Sequence, residues 1–483
     1  MRTGAARPAL CYQTDTTGMA CIEGDRLPDD SYLQRLLAAE KLVNDGKSQE
    51  AEAACLAVLR ESPGLPEGQA LLGFILARQR RLAEAEALLR EAIAKRPDVP
   101  HWHFELRNIL RYDFRLDEAL KHAREAIRLD PKSAQFRNGL SQVHFDRGEY
   151  DQGYAAIMDA LACDPEHPES HLSLAHALLA SGHWRAGWAE YEWRFRSKLY
   201  AKAMVRPNRP MWAGAPLPGR TLAVSADQGF GDSFQFARYL PMAAARCSNL
   251  TLVCRLSQVP LFSRIPGVAR CVTDLRDVGE HAAFCWMASL PHVFATELSE
   301  VPATMPYLFP PPDRRAVWRE RLHQTIGSEF LRVGLAWAGN PDNTADWRRS
   351  LSLSALEGLA AVPGIRLVSL QKPVPAKDRD AFVAWGLTDF SGALTDFAET
   401  AAVIANLDLV VTVDTAIAHL AGAMGVPVWT LIYEPCDWRW MTQREDSPWY
   451  PTMRLFRQPM AGAWDQPIAR VTTALRQLAA AHE

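Results

Sequence analysis

The chain has 483 residues, 48% of them hydrophobic, which is enough for about two to four separately cored domains. A formal net charge of −3 gives no electrostatic basis for binding nucleic acid or an anionic membrane surface. The nine cysteines are scattered, with no C-x-x-C pair and no His at ligand spacing, which argues against a disulfide framework and a zinc site.

No run approaches the ~18 consecutive apolar residues of a membrane span, so no transmembrane segment is expected. Residues 1–28 are polar, patternless and without the apolar stretch of a secretory signal. With thiols expected to be reduced, this implies a disordered N-terminus over 1–30 and a cytoplasmic protein.

A repeat comes next. Pro63, Pro97, Pro131 and Pro165 are 34 residues apart, each after a stretch of helical pattern. Small residues recur in the same register: Ala85 and Ala92, Ala119 and Ala126, Gly153 and Ala160. A 34-residue helix–turn–helix period with small residues at helix contacts is the signature of tetratricopeptide repeats. It predicts an α-solenoid of about five repeats over 31–198, the last one degenerate and rich in aromatics: Trp184, Trp188, Tyr191 and Trp193. Such a solenoid holds an extended partner or serves as a spacer.

Prolines 207, 210, 216 and 218 mark a joint over 199–218, because proline halts helices and stiffens linkers. From there strands alternate with helices. Thr221–Ser225 reads as a strand, the turn Asp227-Gln-Gly-Phe-Gly-Asp232 follows, and Ser233–Ala245 reads as a helix. Further strand patterns lead to Pro310-Pro-Pro312, after which a second series begins with Leu331–Trp337, Arg366–Leu370, Leu409–Val413 and Val428–Ile432. Two such series predict two Rossmann-type parallel-sheet domains, residues 219–312 and 313–483, the latter ending in a helix.

Three clusters carry candidate chemistry. The Gly229-Phe-Gly231-Asp232 turn lacks the third glycine of a dinucleotide fingerprint, since Phe234 stands there. It does offer an acid at a helix start, where Asp232 either caps the helix or accepts a proton from an attacking hydroxyl. In the loop Trp337-Ala-Gly339-Asn340-Pro341, glycine permits close approach of a ligand, and Arg348 and Arg349 beyond it present donor forks for phosphate. Asp414-Thr415 follows a buried strand and opens an Ala-rich helix bearing His419, where either residue caps the helix or the helix end receives a diphosphate.

The segments DQGFGDSFQFARYLP (227–241), VGLAWAGNP (333–341), DTAIAHLAGAMGVP (414–427) and DWRWMTQREDSPWY (437–450) resemble bacterial tetratricopeptide-repeat proteins fused to a GT-B glycosyltransferase similar to the heptosyltransferase family. The resemblance implies Asp232 as catalytic base, with Gln228, Gly229 and Gly231 on the acceptor side of the cleft. It implies Asp414, Thr415, His419, Arg349, Asn340 and Gly339 around the donor's diphosphate, no metal and no cofactor. The implied reaction is inverting transfer of a sugar from a nucleotide-diphosphate sugar to a hydroxyl, with a protein held by the repeats or a cell-surface glycan as acceptor. The rival expectation is a non-catalytic repeat scaffold with a degenerate transferase domain.

Overall fold

The computed structural model describes residues 30–197, 200, 209–302, 304–341, 343 and 345–482. Of the disordered N-terminus expected over 1–30, all but Asp30 lies outside the described residues, as do residues 199 and 201–208 of the expected joint. Helices of seven residues or more are numbered here. Two compact units divide the chain between Leu174 and Ala175.

The first unit is built of antiparallel helix pairs: α1 (Asp30–Asn44), α2 (Ser48–Glu61), α3 (Pro66–Arg78), α4 (Leu82–Lys95), α5 (Pro100–Tyr112), α6 (Leu116–Leu129), α7 (Ala134–Asp146) and α8 (Tyr150–Cys163). Pro66 and Pro100 open α3 and α5, where the missing N–H costs nothing. The 34-residue prolines sit just past the ends of α2, α4, α6 and α8 and stop them. Between the helices of successive repeats, Gly46, Arg80, Phe114 and Gly148 all adopt positive φ at the same register. Glycine does this freely, whereas Arg80 and Phe114 do so at a cost of about 1 kcal/mol or more each.

The small residues of the register are fully buried: Ala51, Ala85 and Ala119 at one position, Ala92, Ala126 and Ala160 at another. Gly153 takes the first position in its repeat because a Cβ would lie 2.7 Å from the Phe145 ring. An ion-pair ladder follows the same period. Arg81 binds Glu52 and Glu84, and Arg115, one repeat on, binds Glu86 and Glu118, all four contacts at 2.6–2.7 Å. Among the described residues, no helix is long and apolar enough to cross a membrane.

Helix α9 (Pro168–Ala180) runs across the division, and α10 (Trp184–Tyr191) belongs to the second unit. The register continues into α10. Gly187 stands where Ala85 and Ala119 would, its Cβ position 2.7 Å from Leu179. Arg194 replaces the next alanine and is completely buried, donating to Ser289 Oγ (2.6 Å) and the Tyr191 carbonyl (3.1 Å). The repeat therefore ends here and its aromatics turn to the sheets. Trp184 stacks on Trp449 (ring centroids 4.7 Å apart), and Trp188 meets Trp438 edge-on (5.2 Å).

The rest of the second unit is two parallel sheets. β1 (Leu217–Ser225), β2 (Cys247–Val253), β3 (Val268–Val272) and β4 (Ala283–Trp286) pair in the order β3-β2-β1-β4. After α12 (Pro312–Ile326), a second sheet contains β5 (Leu331–Ala336), β6 (Ile365–Ser369), β7 (Thr388–Asp389), β8 (Leu409–Val413), β9 (Val428–Ile432) and β10 (Met453–Arg457) in the order β10-β9-β8-β5-β6-β7. This is the doubly wound Rossmann order, with its switch point between β5 and β8. β8 is buried at all five positions, as expected for a β-branched run covered on both faces.

The helix expected over Ser233–Ala245 departs from expectation. It begins earlier, as α11 (Phe230–Phe236), tightens to a 3₁₀ turn at Ala237–Tyr239 and resumes at Leu240–Ala244. Pro241 has no N–H to bond back to Ala237, which breaks the ladder there. The remaining helices named below are α13 (Phe397–Ile404), α14 (Ala416–Ala423) and α15 (Asp465–Ala480), the last closing the chain against β10.

Candidate active site

Three loops at the carboxyl ends of strands meet in the second unit: one after β1, one after β5 and one after β8. The last two flank the switch point of the larger sheet, where open parallel sheets bind ligands.

After β8, Asp414 and Thr415 lead into α14. Thr415 is the cap, its hydroxyl accepting from Ile417 N (3.3 Å), which leaves the Asp414 carboxylate to other work. His419 lies one turn into α14, 5% exposed, stacked on Trp440 (ring centroids 5.2 Å) and hydrogen-bonded through Nδ1 to the Tyr450 hydroxyl (2.9 Å). The other ring nitrogen, Nε2, lies 3.9 Å from Asp414 Oδ1. Burial and then the nearby Arg439 charge push the His419 pKa down to about 3, so the ring is a neutral donor at pH 7. Burial also raises Asp414 to about 6, against the pull of Arg349.

After β5, Trp337 is pinned by its indole N–H on Asp378 (2.8 Å), and Gly339 N donates to Ser350 Oγ (2.8 Å). Glycine at 339 leaves room for the Asp346–Arg349 pair. A Cβ would lie 2.1 Å from Asp346 Oδ1 and 2.8 Å from Arg349 Nη2. Arg349 is held by Asp346 (2.9 Å), and although burial opposes its charge, Asp414 and Asp346 together keep it firmly protonated. Arg348, half-buried, lies over the Trp347 ring (5.0 Å). Asn340 is exposed at the head of the loop, its carbonyl accepting from Asn343 N (2.9 Å).

After β1, Asp232 reaches back to the start of α11, its Oδ2 accepting from Gly229 N (2.8 Å). Gly231 brings α11 onto α14, since a Cβ there would lie 2.7 Å from His419 Cδ2. Gly422 plays the same part on the far side of α14, where a Cβ would lie 2.5 Å from the Tyr450 ring. The Gln228 amide is turned to Tyr191, donating to its hydroxyl at 2.7 Å, and its carbonyl accepts from Arg255 (2.8 Å). Beside it, burial lifts Asp227 to about 6, with Arg194 opposing.

The residue that ties the loop after β1 to the larger sheet is Arg439, in the segment after β9 and absent from the candidate residues of the sequence. It is 4% exposed. Its Nη1 binds Asp437 (2.9 Å), its Nε binds Gln235 Oε1 (2.6 Å) and its Nη2 binds Asp232 Oδ1. One guanidinium thus joins the smaller sheet's Asp232 and Gln235 to the larger sheet's Asp437. Burial works to raise Asp437, yet Arg439 outweighs it and holds the carboxyl below the usual range. Arg238 makes a second such link, donating to the Trp449 carbonyl (2.9 Å) and the Tyr307 hydroxyl (3.1 Å). In the sequence Arg439 stood between two tryptophans, Trp438 and Trp440, inside the segment 437–450 that carries the resemblance.

Residues 392–445, which include Asp414, Thr415, His419, Asp437 and Arg439, match the profile of glycosyltransferase family 9 (heptosyltransferase). Residues 42–107 and 110–169 match tetratricopeptide-repeat profiles. Protein FlbA of Caulobacter vibrioides is 30% identical over 371 residues, covering 70% of this chain and 60% of FlbA. The chain thus spans less than two thirds of that relative's length.

Among solved structures, a thermophilic tetratricopeptide-repeat protein of Thermus thermophilus is 21% identical. The alignment covers 36% of this chain and 98% of that one, with a TM-score of 0.32. For MamA 41-end of Desulfovibrio magneticus the values are 16%, 34%, 93% and 0.30. The chain joins tetratricopeptide repeats to a GT-B-like pair of Rossmann domains similar to glycosyltransferase family 9, the heptosyltransferases.

Proposed function

We propose that the chain is an inverting glycosyltransferase that uses a nucleotide-diphosphate sugar and acts on a hydroxyl acceptor. The observation that carries this reading is the meeting of Asp232, from the smaller sheet, with the Asp414–His419 helix of the larger one through Arg439 and the Gly231–His419 contact. In this reading the diphosphate lies at the N-terminus of α14, where the helix dipole favours an anion. Arg349 supplies charge, and neutral His419 supplies an N–H donor.

In the transfer step, the acceptor oxygen attacks the anomeric carbon from the side opposite the diphosphate. Its proton passes to the Asp232 carboxylate as the new C–O bond forms. The bond from the anomeric carbon to the diphosphate oxygen breaks, and its electron pair leaves with the nucleoside diphosphate. Charge stabilisation is assigned to side chains and the helix end, so activity should survive a chelator. The acceptor we propose is a protein held by the repeats, whose solenoid form suits an extended partner.

The test is a panel of nucleotide sugars screened by thermal shift, then by sugar transfer and slow donor hydrolysis. One or more should raise the melting temperature. Arg349→Ala should weaken nucleoside-diphosphate binding about ten-fold or more, as loss of one charge-assisted contact. A panel in which nothing binds would leave the chain a repeat scaffold.

A further inference from the structure

The two arginines of the site are held differently. Arg349 answers to Asp346, three residues away on the same turn of helix. Arg439 divides its fork among three partners, and two of them, Asp232 and Gln235, come from the other sheet, 207 and 204 residues away in sequence. Asp437 alone is local, and it would still neutralise Arg439 if Nη2 let go of Asp232. Both oxygens of Asp232 are engaged as well, Oδ2 by Gly229 N and Oδ1 by Arg439. A carboxylate tied in this way has no oxygen free to receive the acceptor's proton.

An anion arriving at α14 enters a place crowded with negative groups, Asp414 and Asp437 among them, and needs positive charge. Arg439 lies close enough to act on both His419 and Asp414. Resting on the reading above, we propose that Arg439 is a positioning residue that couples donor binding to the base. A nucleoside diphosphate at α14 takes the Nη2 arm from Asp232, and the carboxylate is freed for the acceptor hydroxyl only then. Without donor, the base stays locked in an ion pair. With donor, it loses its counter-ion and presents a free oxygen beside the anomeric carbon.

The coupling is reciprocal, so Asp232 must oppose diphosphate binding by competing for Arg439. The experiment measures binding of ADP, GDP and UDP by calorimetry to the wild type and to Asp232→Asn. The variant should bind the preferred nucleotide about ten-fold more tightly, because its amide cannot hold the guanidinium as a carboxylate does. The gain should vanish in the Arg439→Gln background. Should that variant not fold, Arg439→Lys serves in its place. There the gain should shrink, since an ammonium cannot hold Asp437, Gln235 and a phosphate together as a fork does.

Equal or weaker binding by Asp232→Asn overturns the proposal, as does a gain that persists undiminished without the Arg439 fork, which would mark a general effect of removing negative charge. Binding of none of the three nucleotides by either protein would overturn the glycosyltransferase reading itself, and this proposal with it.

Discussion

Arg81 and Arg115 in the repeats each hold the carboxylates of two helices while their side chains stay 42% and 36% exposed. Arg439 in the sheet unit also holds two carboxylates, with its side chain 5% exposed. The repeat pairs recur every 34 residues and sit in high dielectric, so each adds little and any one can be lost. The Arg439 cluster occurs once, in a place where water cannot replace a missing partner. The solenoid repeats its exposed pairs at Arg81 and Arg115 and buries one pair, Arg111–Asp146, whereas the sheet unit gathers three partners on one buried guanidinium at its candidate site.

The largest way to break this contrast is at Asp232. Asp232→Asn should lower turnover by ~10²–10⁴-fold with the donor found in the panel, whatever it does to nucleotide affinity. Near-normal turnover would reduce Asp232 to a helix cap for Gly229. Next, Arg439→Met should destabilise the sheet unit by about 3–5 kcal/mol in denaturant unfolding, because Asp232 and Asp437 would remain buried without their cation. A loss under ~1 kcal/mol would place Arg439 in the same class as the repeat arginines.

His176 sharpens the comparison through pH. It is half-buried beside Tyr191 (ring centroids 6.0 Å), and the desolvation of its ring lowers its pKa to about 4. The folded state therefore binds its proton more weakly than the unfolded chain, where the pKa is near 6.5. Its contribution is fully present above ~pH 6.5 and is lost as pH falls toward 4, by about 3 kcal/mol at most. Asp414, raised to about 6, shifts stability the other way as its charged form appears. The readout is thus the difference between wild type and His176→Phe, in which Asp414 cancels. A pH-independent difference would mean that His176 is not held neutral. The smallest effect is expected for Arg90→Ala in the repeats, which removes pairs to Glu86 and Glu118 yet should cost no more than ~1 kcal/mol.

The sequence displayed what local pattern can display. β8 and β9 coincide with the runs Leu409–Val413 and Val428–Ile432, since a strand covered on both faces must be apolar throughout. The edge strands of the larger sheet were not legible. β10 carries Arg454 and Arg457, which spoil an apolar run, and β7 is two residues long. In the site, Asp232, Asp414 and His419 stood out because each follows a strand and opens a helix within a few residues. Arg439 and Tyr450 did not, since what makes them functional candidates is a partner far away in sequence: Asp232 for one and His419 for the other. The Gln228 amide is tied to Tyr191, a partner that no local pattern announces.

The space left by two missing methyl groups has a consequence for how such sequences can diverge. Gly231 exists to admit the His419 ring and Gly422 to admit the Tyr450 ring. These are contacts between motifs, not within them. A larger residue at 231 would be tolerated only where position 419, 188 places downstream, had also shrunk. Relatives that have lost His419 should therefore be free to fill position 231, while those that keep it should not. The two short motifs would drift as one unit, so an alignment of relatives would show them changing together, and a chain with one motif intact and the other eroded should be rare.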